Sequence, residues 1–279
     1  MAHNSFIVTG GSTGIGAAIC SRLLERNHRV INLSRRPLEH PSSQLENITL
    51  DLSDRAAVKE VAQAIAQRYN VTGLIHNAGL IRPNLIEDVN LEDYDYLSEV
   101  HIGAAITLAQ AVIPGMKSQA FGRIVLITSR AALGLATRTS YSATKSGMMG
   151  MARTWALELG QYGITVNTVA PGPIQDTEMF EAVVPPDSNK LGDMAASVPV
   201  KRLGRSVDVA HAVDFLADEA SSFITGQTLM VCGGASLGSL ALYRRSICRK
   251  FPIVTLMRWS NPPSCIAAST RTPIALNLK

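Results

Sequence analysis

Seven short runs rich in β-branched and aliphatic residues, at 6–9, 29–33, 48–50, 73–76, 123–128, 164–169 and 227–232, alternate with segments of helical spacing at 17–26, 55–69, 91–117, 140–160 and 207–217. The runs are mostly continuous rather than alternating, as expected of strands buried on both faces of a parallel sheet. In the helical segments the apolar residues recur at three- to four-residue steps, as in Val58, Val61, Ala62 and Ile65. Parallel strands joined by helices require right-handed crossovers. The expected fold is therefore α/β, a doubly wound Rossmann-type fold with a seven-stranded parallel sheet flanked by helices. Asp54 and Ser206 stand where helix N-caps are expected.

Two stretches break the rhythm. Residues 173–205, with Pro173, Pro185, Pro186 and Pro199 around a short segment at 178–184, are too long for an ordinary connection and read as a mobile lid. After Gly238 the pattern stops. One catalytic domain is expected over 1–238, followed by a basic C-terminal extension over 239–279.

Charge divides the chain in the same place. Residues 235–279 hold seven cations and no acid, whereas the first 234 residues hold 19 basic and 22 acidic residues. A net +4 thus hides a mildly acidic body, which argues against nucleic acid as its main partner. The tail reads either as a docking arm, with an apolar patch at 251–257, or as an incidental extension with little structure. Hydrophobic content of 46% against 17% charged residues excludes a disordered chain. No apolar run approaches the ~20 residues of a membrane span, so no transmembrane segment is expected. Cys20, Cys232, Cys248 and Cys265 lack metal-ligand spacing, the histidines form no ligand cluster, and apolar residues 6–8 begin too early for a secretory leader. No metal and a cytoplasmic location are the expectations.

The turn Gly10-x-x-x-Gly14-x-Gly16, with Ser12, Thr13 and Ile15 between, follows the first strand and opens a helix. Its backbone N–H groups can face a pyrophosphate with no side chain in the way. Far downstream, Tyr141 and Lys145 stand four apart and share a helix face. A free phenol, with a pKa of ~10, is a poor acid or base at neutral pH; a nearby cation favours the phenolate, and a shift toward 7 needs ~4 kcal/mol. Ser129 ends the fifth strand, one residue after the alternative Thr128.

This set, with Asn77-Ala78-Gly79 and Pro171-Gly172, resembles the short-chain dehydrogenase/reductase family over roughly residues 5–238. The resemblance implies catalytic roles for Tyr141 (proton transfer), Ser129 (orienting the substrate oxygen) and Lys145 (holding the ribose and lowering the tyrosine pKa). It implies a cofactor site made of Gly10, Ser12, Thr13, Gly14, Ile15, Gly16, Ser34, Arg35, Asp51, Leu52, Asn77, Ala78, Gly79, Tyr141, Lys145, Pro171, Gly172, Ile174 and Thr177. NAD-specific members place a carboxylate at the end of the second strand; here Ser34 and Arg35 offer a hydroxyl and a bidentate cation suited to a phosphate, which favours NADP(H) over NAD(H). Where the family has an asparagine, this chain has His101, either a proton relay or a packed neutral residue. The family would make the chain an NADP-dependent alcohol dehydrogenase or carbonyl reductase. Its substrate is a small carbonyl or alcohol compound; a 3-oxoacyl thioester, a cyclic ketone and a steroid all fit. Small and apolar faces with Ala104, Ala105, Ala109, Ala143, Met148, Met149 and Met151 resemble the family's subunit contacts, so a homotetramer or homodimer is expected. The rival reading is a non-catalytic protein that senses NADP(H) on the same fold.

Overall fold

Apolar strands that cannot face water on either side must be covered twice, and the computed structural model shows how. It describes residues 4–182, 184 and 190–237. In chain order these form β1 (Ser5–Thr9), α1 (Gly14–Glu25), β2 (Arg29–Ser34), β3 (Leu45–Thr49), α2 (Arg55–Arg68) and β4 (Val71–His76). Then follow α3 (Leu91–Ser98), α4 (Ala104–Ser118), β5 (Gly122–Ile127), α5 (Thr139–Leu159), β6 (Ile164–Pro171), α6 (Glu178–Glu181), α7 (Lys190–Ser197), α8 (Ser206–Ala217) and β7 (Thr228–Val231). The strands make one seven-stranded sheet in the order β3-β2-β1-β4-β5-β6-β7, with every pairing parallel.

Successive strand residues point to opposite faces, so one strand feeds two cores. Ile7, Ile31, Leu74, Ile124 and Val166 pack with Val58, Ala62 and Ile65 of α2, with Leu108 and Val112 of α4 and with Met148 and Ala152 of α5. Phe6, Val8, Val30, Ile75, Val125 and Val169 pack on the other face with Ile19 and Leu23 of α1 and Val209 and Val213 of α8. Each such Val, Leu, Ile, Phe or Met side chain, fully buried, contributes about 1.5–3 kcal/mol. Half-buried arginines tie α1 to α8: Arg22 Nε lies 3.1 Å and Arg26 Nη1 2.7 Å from the Asp214 carboxylate.

The structure corrects several boundaries. The third strand, Leu45–Thr49, starts three residues before its apolar run at 48–50 and ends one residue before that run does. The long helix at 91–118 is interrupted by a π-helical stretch, Glu99–Gly103. By length and composition this 28-residue stretch could cross a membrane, but its row Leu97, Val100, Ala104, Leu108, Val112 and Met116 is buried in the domain. Asp54 caps α2 by accepting from the Ala57 amide at 3.0 Å. Ser206 is not a cap: it is the first helical residue of α8, and its amide and hydroxyl both donate to Asp176 Oδ1 at 2.8 and 2.9 Å. Within 173–205, a bridge between Ile174 and Gly204 closes the base of the segment that carries α6 and α7. Residues 183 and 185–189 of the expected lid, and the whole extension 239–279, lie outside the described residues.

Candidate active site

The strand order reverses between β1 and β4, and the loops leaving the C-terminal ends of the strands there enclose a groove of about 430 Å³. Such a crevice is where doubly wound sheets take ligands. The groove is lined by every residue that the sequence pointed to for the cofactor, from Gly10 to Thr177, together with Ser129, Tyr141 and Lys145. His101 lies behind it rather than on its wall.

At one end the backbone itself is the binding surface. Gly10 sits at φ +64, and a Cβ there would stand 2.9 Å from the Ala78 Cα; at Gly16 a Cβ would fall 1.9 Å from the Gly10 carbonyl oxygen. Any larger residue would push α1 away from the turn. Thr13, at the N-cap of α1, makes no capping hydrogen bond, so the first amides of α1 keep their donors for an anion. The turn is held from below. Asn77 Nδ2 donates to the carbonyls of Thr9 and Gly10, and the Gly11 amide donates to Asn32 Oδ1 at 3.0 Å.

At the end of β2 the exposed Arg35 and Arg36 flank the groove. Arg36 Nη2 donates to both carboxylate oxygens of Glu178 of α6, at 2.8 and 2.9 Å, across the groove. Ser34 differs from expectation: its hydroxyl donates to Asn32 Oδ1 at 2.7 Å, leaving only lone pairs toward the groove. Asp51 accepts from the amide and hydroxyl of Ser53, which hold its carboxyl below the usual range. The amides, the two cations and the carboxylate together fit a dinucleotide whose ribose carries a 2′-phosphate.

The other end holds the reactive side chains. Tyr141 and Lys145 project from one face of α5. Lys145 is 2% exposed and donates to the Ile127 carbonyl at 2.8 Å; burial lowers its pKa to about 7. Ser129 Oγ accepts from the Ala131 amide at 3.1 Å and is near enough to Tyr141 to favour its phenolate. Thr128 directs its hydroxyl to the Val169 carbonyl at 3.1 Å, so Ser129 is the one that faces the phenol. Burial raises the Tyr141 pKa, opposed by the Ser129 hydrogen bond and by the Arg138 charge. Lys145 Nζ lies 5.7 Å from the centroid of the Tyr141 ring.

Behind these groups lie two histidines with assigned protons. Thr9 Oγ1 accepts from the amides of Asn77 and Ala78, both at 3.0 Å, so its own proton goes to His76 Nδ1 at 3.1 Å, and His76 Nε2 donates to the Val100 carbonyl. Burial takes the His76 pKa down to about 3. His101, fully buried in the π-helical stretch, accepts from the Leu80 amide at Nε2 (3.2 Å) and donates from Nδ1 to Thr144 Oγ1 (2.9 Å). Its pKa is held well below the ordinary value by burial and by the Lys145 charge. Both of its nitrogens are engaged, and it packs edge-on to the Tyr141 ring at 5.6 Å. This is the geometry of a packed neutral residue.

Sequence reasoning missed Arg138 and Thr9. Arg138 lines the groove one turn ahead of Tyr141, placed there by Thr137, whose φ of +65 is unusual for a β-branched residue. Such strain costs about 1–3 kcal/mol and collects at functional sites. Among the described residues no group of His, Cys, Asp and Glu could hold a metal ion.

The family model described as enoyl-(acyl carrier protein) reductase matches residues 10–236. The chain belongs to the short-chain dehydrogenase/reductase family. Like other members of that family it is an oxidoreductase. The family's relatives include the 3-oxoacyl-[acyl-carrier-protein] reductase FabG of Salmonella typhimurium, 35% identical over 236 residues that cover 82% of this chain and 95% of that one. A second is the (2S)-[(R)-hydroxy(phenyl)methyl]succinyl-CoA dehydrogenase subunit BbsD of Thauera aromatica, 36% identical over 83% of this chain and 96% of that one. Among solved structures, a putative NAD(P)-dependent gluconate 5-dehydrogenase from Beutenbergia cavernae with bound NADP superposes with a TM-score of 0.77, at 29% identity over 85% of this chain and 98% of that one.

Proposed function

We propose that this chain is an NADP(H)-dependent carbonyl reductase or alcohol dehydrogenase, interconverting a ketone or aldehyde and an alcohol. One observation carries the reading: Ser129, Tyr141 and Lys145 converge in the same groove whose far end offers uncovered helix amides and the exposed Arg35. The groove's charges, and the NADP bound in the Beutenbergia relative, support NADP(H) as the cofactor. When bound, it supplies or takes up the hydride.

The chain's own residues handle the proton. In reduction, Tyr141 donates its hydroxyl proton to the carbonyl oxygen, and its raised pKa keeps it protonated for that task at neutral pH. Ser129 donates its single hydroxyl proton to the same oxygen as charge develops on it. In oxidation Tyr141 must first lose its proton, so that direction gains with rising pH. Lys145 supplies a donor between the Ile127 carbonyl and the cofactor ribose.

The test is a panel of carbonyl compounds assayed for NADPH and NADH oxidation with the wild type and Tyr141→Phe. The wild type turns over with NADPH preferred, and Tyr141→Phe loses roughly 10²–10⁴-fold in kcat while keeping NADPH affinity. Near-normal turnover of Tyr141→Phe removes the tyrosine from its role. NADPH binding without turnover on any compound makes the chain a sensor, and a preference for NADH overturns the cofactor assignment.

A further inference from the structure

The reactive end of the groove holds a cation that the chemistry above does not use. Arg138 forms the N-cap of α5 and lines the groove with Tyr141 and Ser129. Its Nη1 donates to the Thr137 carbonyl at 3.3 Å and to the Thr137 hydroxyl, and it pairs with no carboxylate among the described residues. The acids on the groove wall lie elsewhere and are engaged, Asp51 by Ser53 and Glu178 by Arg36. Arg130, the other cation at this end, reaches back to the Ala235 carbonyl at 3.5 Å.

The placement of Arg138 is built. Thr137 takes the left-handed conformation, and its carbonyl accepts from the Asn84 amide at 3.1 Å, while Asn84 and Arg138 form an isolated β-bridge. A strained residue pinned on both sides presents the guanidinium to the groove. Leu80, Ile81 and Tyr96 pack around Tyr141 and make the adjoining wall apolar. An unpaired guanidinium beside an apolar wall suits a planar anion, which it can bind through two parallel hydrogen bonds.

We propose that Arg138 is an anion subsite, and that the substrate is an oxo acid whose carboxylate lies within a few bonds of the carbonyl that Tyr141 protonates. The short spacing follows from the chain: Arg138 stands at the N-cap of α5, three residues before Tyr141, its carbonyl accepts from the Ser142 amide at 2.6 Å, and both side chains line the groove. The charge of Arg138 is felt at the Tyr141 hydroxyl, which agrees with this proximity. A phosphate on a long carrier arm, many bonds from the carbonyl, could not meet both groups. Arg138 is thus a specificity residue in the reaction proposed above, and the inference rests on that reading for its catalytic half.

The test compares 3-oxobutanoate, its methyl ester and its coenzyme A thioester as substrates, with butanoate binding measured by titration calorimetry in the presence of NADP. In the wild type kcat/KM for the acid exceeds that for the methyl ester by roughly 10- to 100-fold, the usual range for a hydrogen bond to a charged group. Arg138→Gln brings this ratio near one and abolishes butanoate binding; Arg138→Lys retains part of both. A wild-type ratio near one, a ratio that Arg138→Gln leaves unchanged, or a thioester preferred over the acid would each overturn the subsite. Arg138-dependent butanoate binding without turnover of any carbonyl compound leaves the subsite standing and removes the reductase reading. Turnover of the ester with no preference for the acid does the reverse.

Discussion

Burial of Lys145 sets the main conflict at the residue scale between stability and chemistry. Buried between the Ile127 carbonyl and the Tyr141 ring, the ammonium is destabilised in the fold and its pKa falls from 10.5 to about 7. The unfolded chain then binds more protons than the folded one between those values, so this group makes stability rise with pH across that window and exacts its full penalty below it. Lys145→Met is expected to stabilise the protein at pH 6–7 by up to roughly 5 kcal/mol, at about 1.4 kcal/mol per pKa unit, with the gain shrinking toward pH 10.5. Urea unfolding at several pH values checks this; a gain independent of pH would assign it to packing instead. The glycine turn and the Tyr141–Lys145 spacing were legible from residue type alone, because both depend on local backbone rules. Arg138 was not, since its position depends on Thr137 adopting a backbone region that β-branched residues rarely take. Ser34 was read as a donor to a phosphate because nothing local in sequence shows that Asn32 takes its proton.

Elements show the same division. Central strands such as β1 and β6, buried along their whole length, announce themselves as apolar runs. The edge strand β3, Leu-Glu-Asn-Ile-Thr, is half exposed and mixes polar with apolar residues, so its register with β2 decides where it starts. Ser206 has the right residue type for a cap, but the Asp176 carboxylate, 30 positions away, takes its donors. The π-helical stretch leaves no trace in the hydrophobic period. It seats His101 behind the phenol, near His76 at the end of β4. Both histidines are neutral in the fold with lowered pKa values, so the stability tied to them is complete above ~6.5 and is lost as pH falls, at about 1.4 kcal/mol per pH unit for each. His76→Asn and His101→Asn should each flatten the loss of stability between pH 6 and 4.5 by about that slope, measured by urea midpoints. An unchanged slope would place the acid lability in carboxylates whose pKa the fold lowers, such as Asp208 and Asp218.

For the whole molecule, one chain leaves apolar surface uncovered. Leu157 is 86% exposed, Phe215 53% and Phe223 fully so, on the outer side of α5, on α8 and in the turn before β7. These positions suit contacts between copies, and light scattering is expected to give a homotetramer or homodimer. Phe223→Asp combined with Leu157→Asp should lower the mass; a monomer in the wild type would refute it. The sheet order carries a different consequence, for synthesis. The β1–β4 pairing joins Ser5 to Val71, whereas β6 must wait for β7, with Thr168 paired to Thr228. Long-range parallel pairings form slowly, because loop-closure entropy opposes them until both partners are present. A ribosome releasing this chain therefore exposes the half built on β1, β2 and β4 first, then holds β6 with a bare edge until the final strand emerges. That interval, when an apolar strand lacks its neighbour, is when the nascent protein is most open to aggregation and to capture by chaperones.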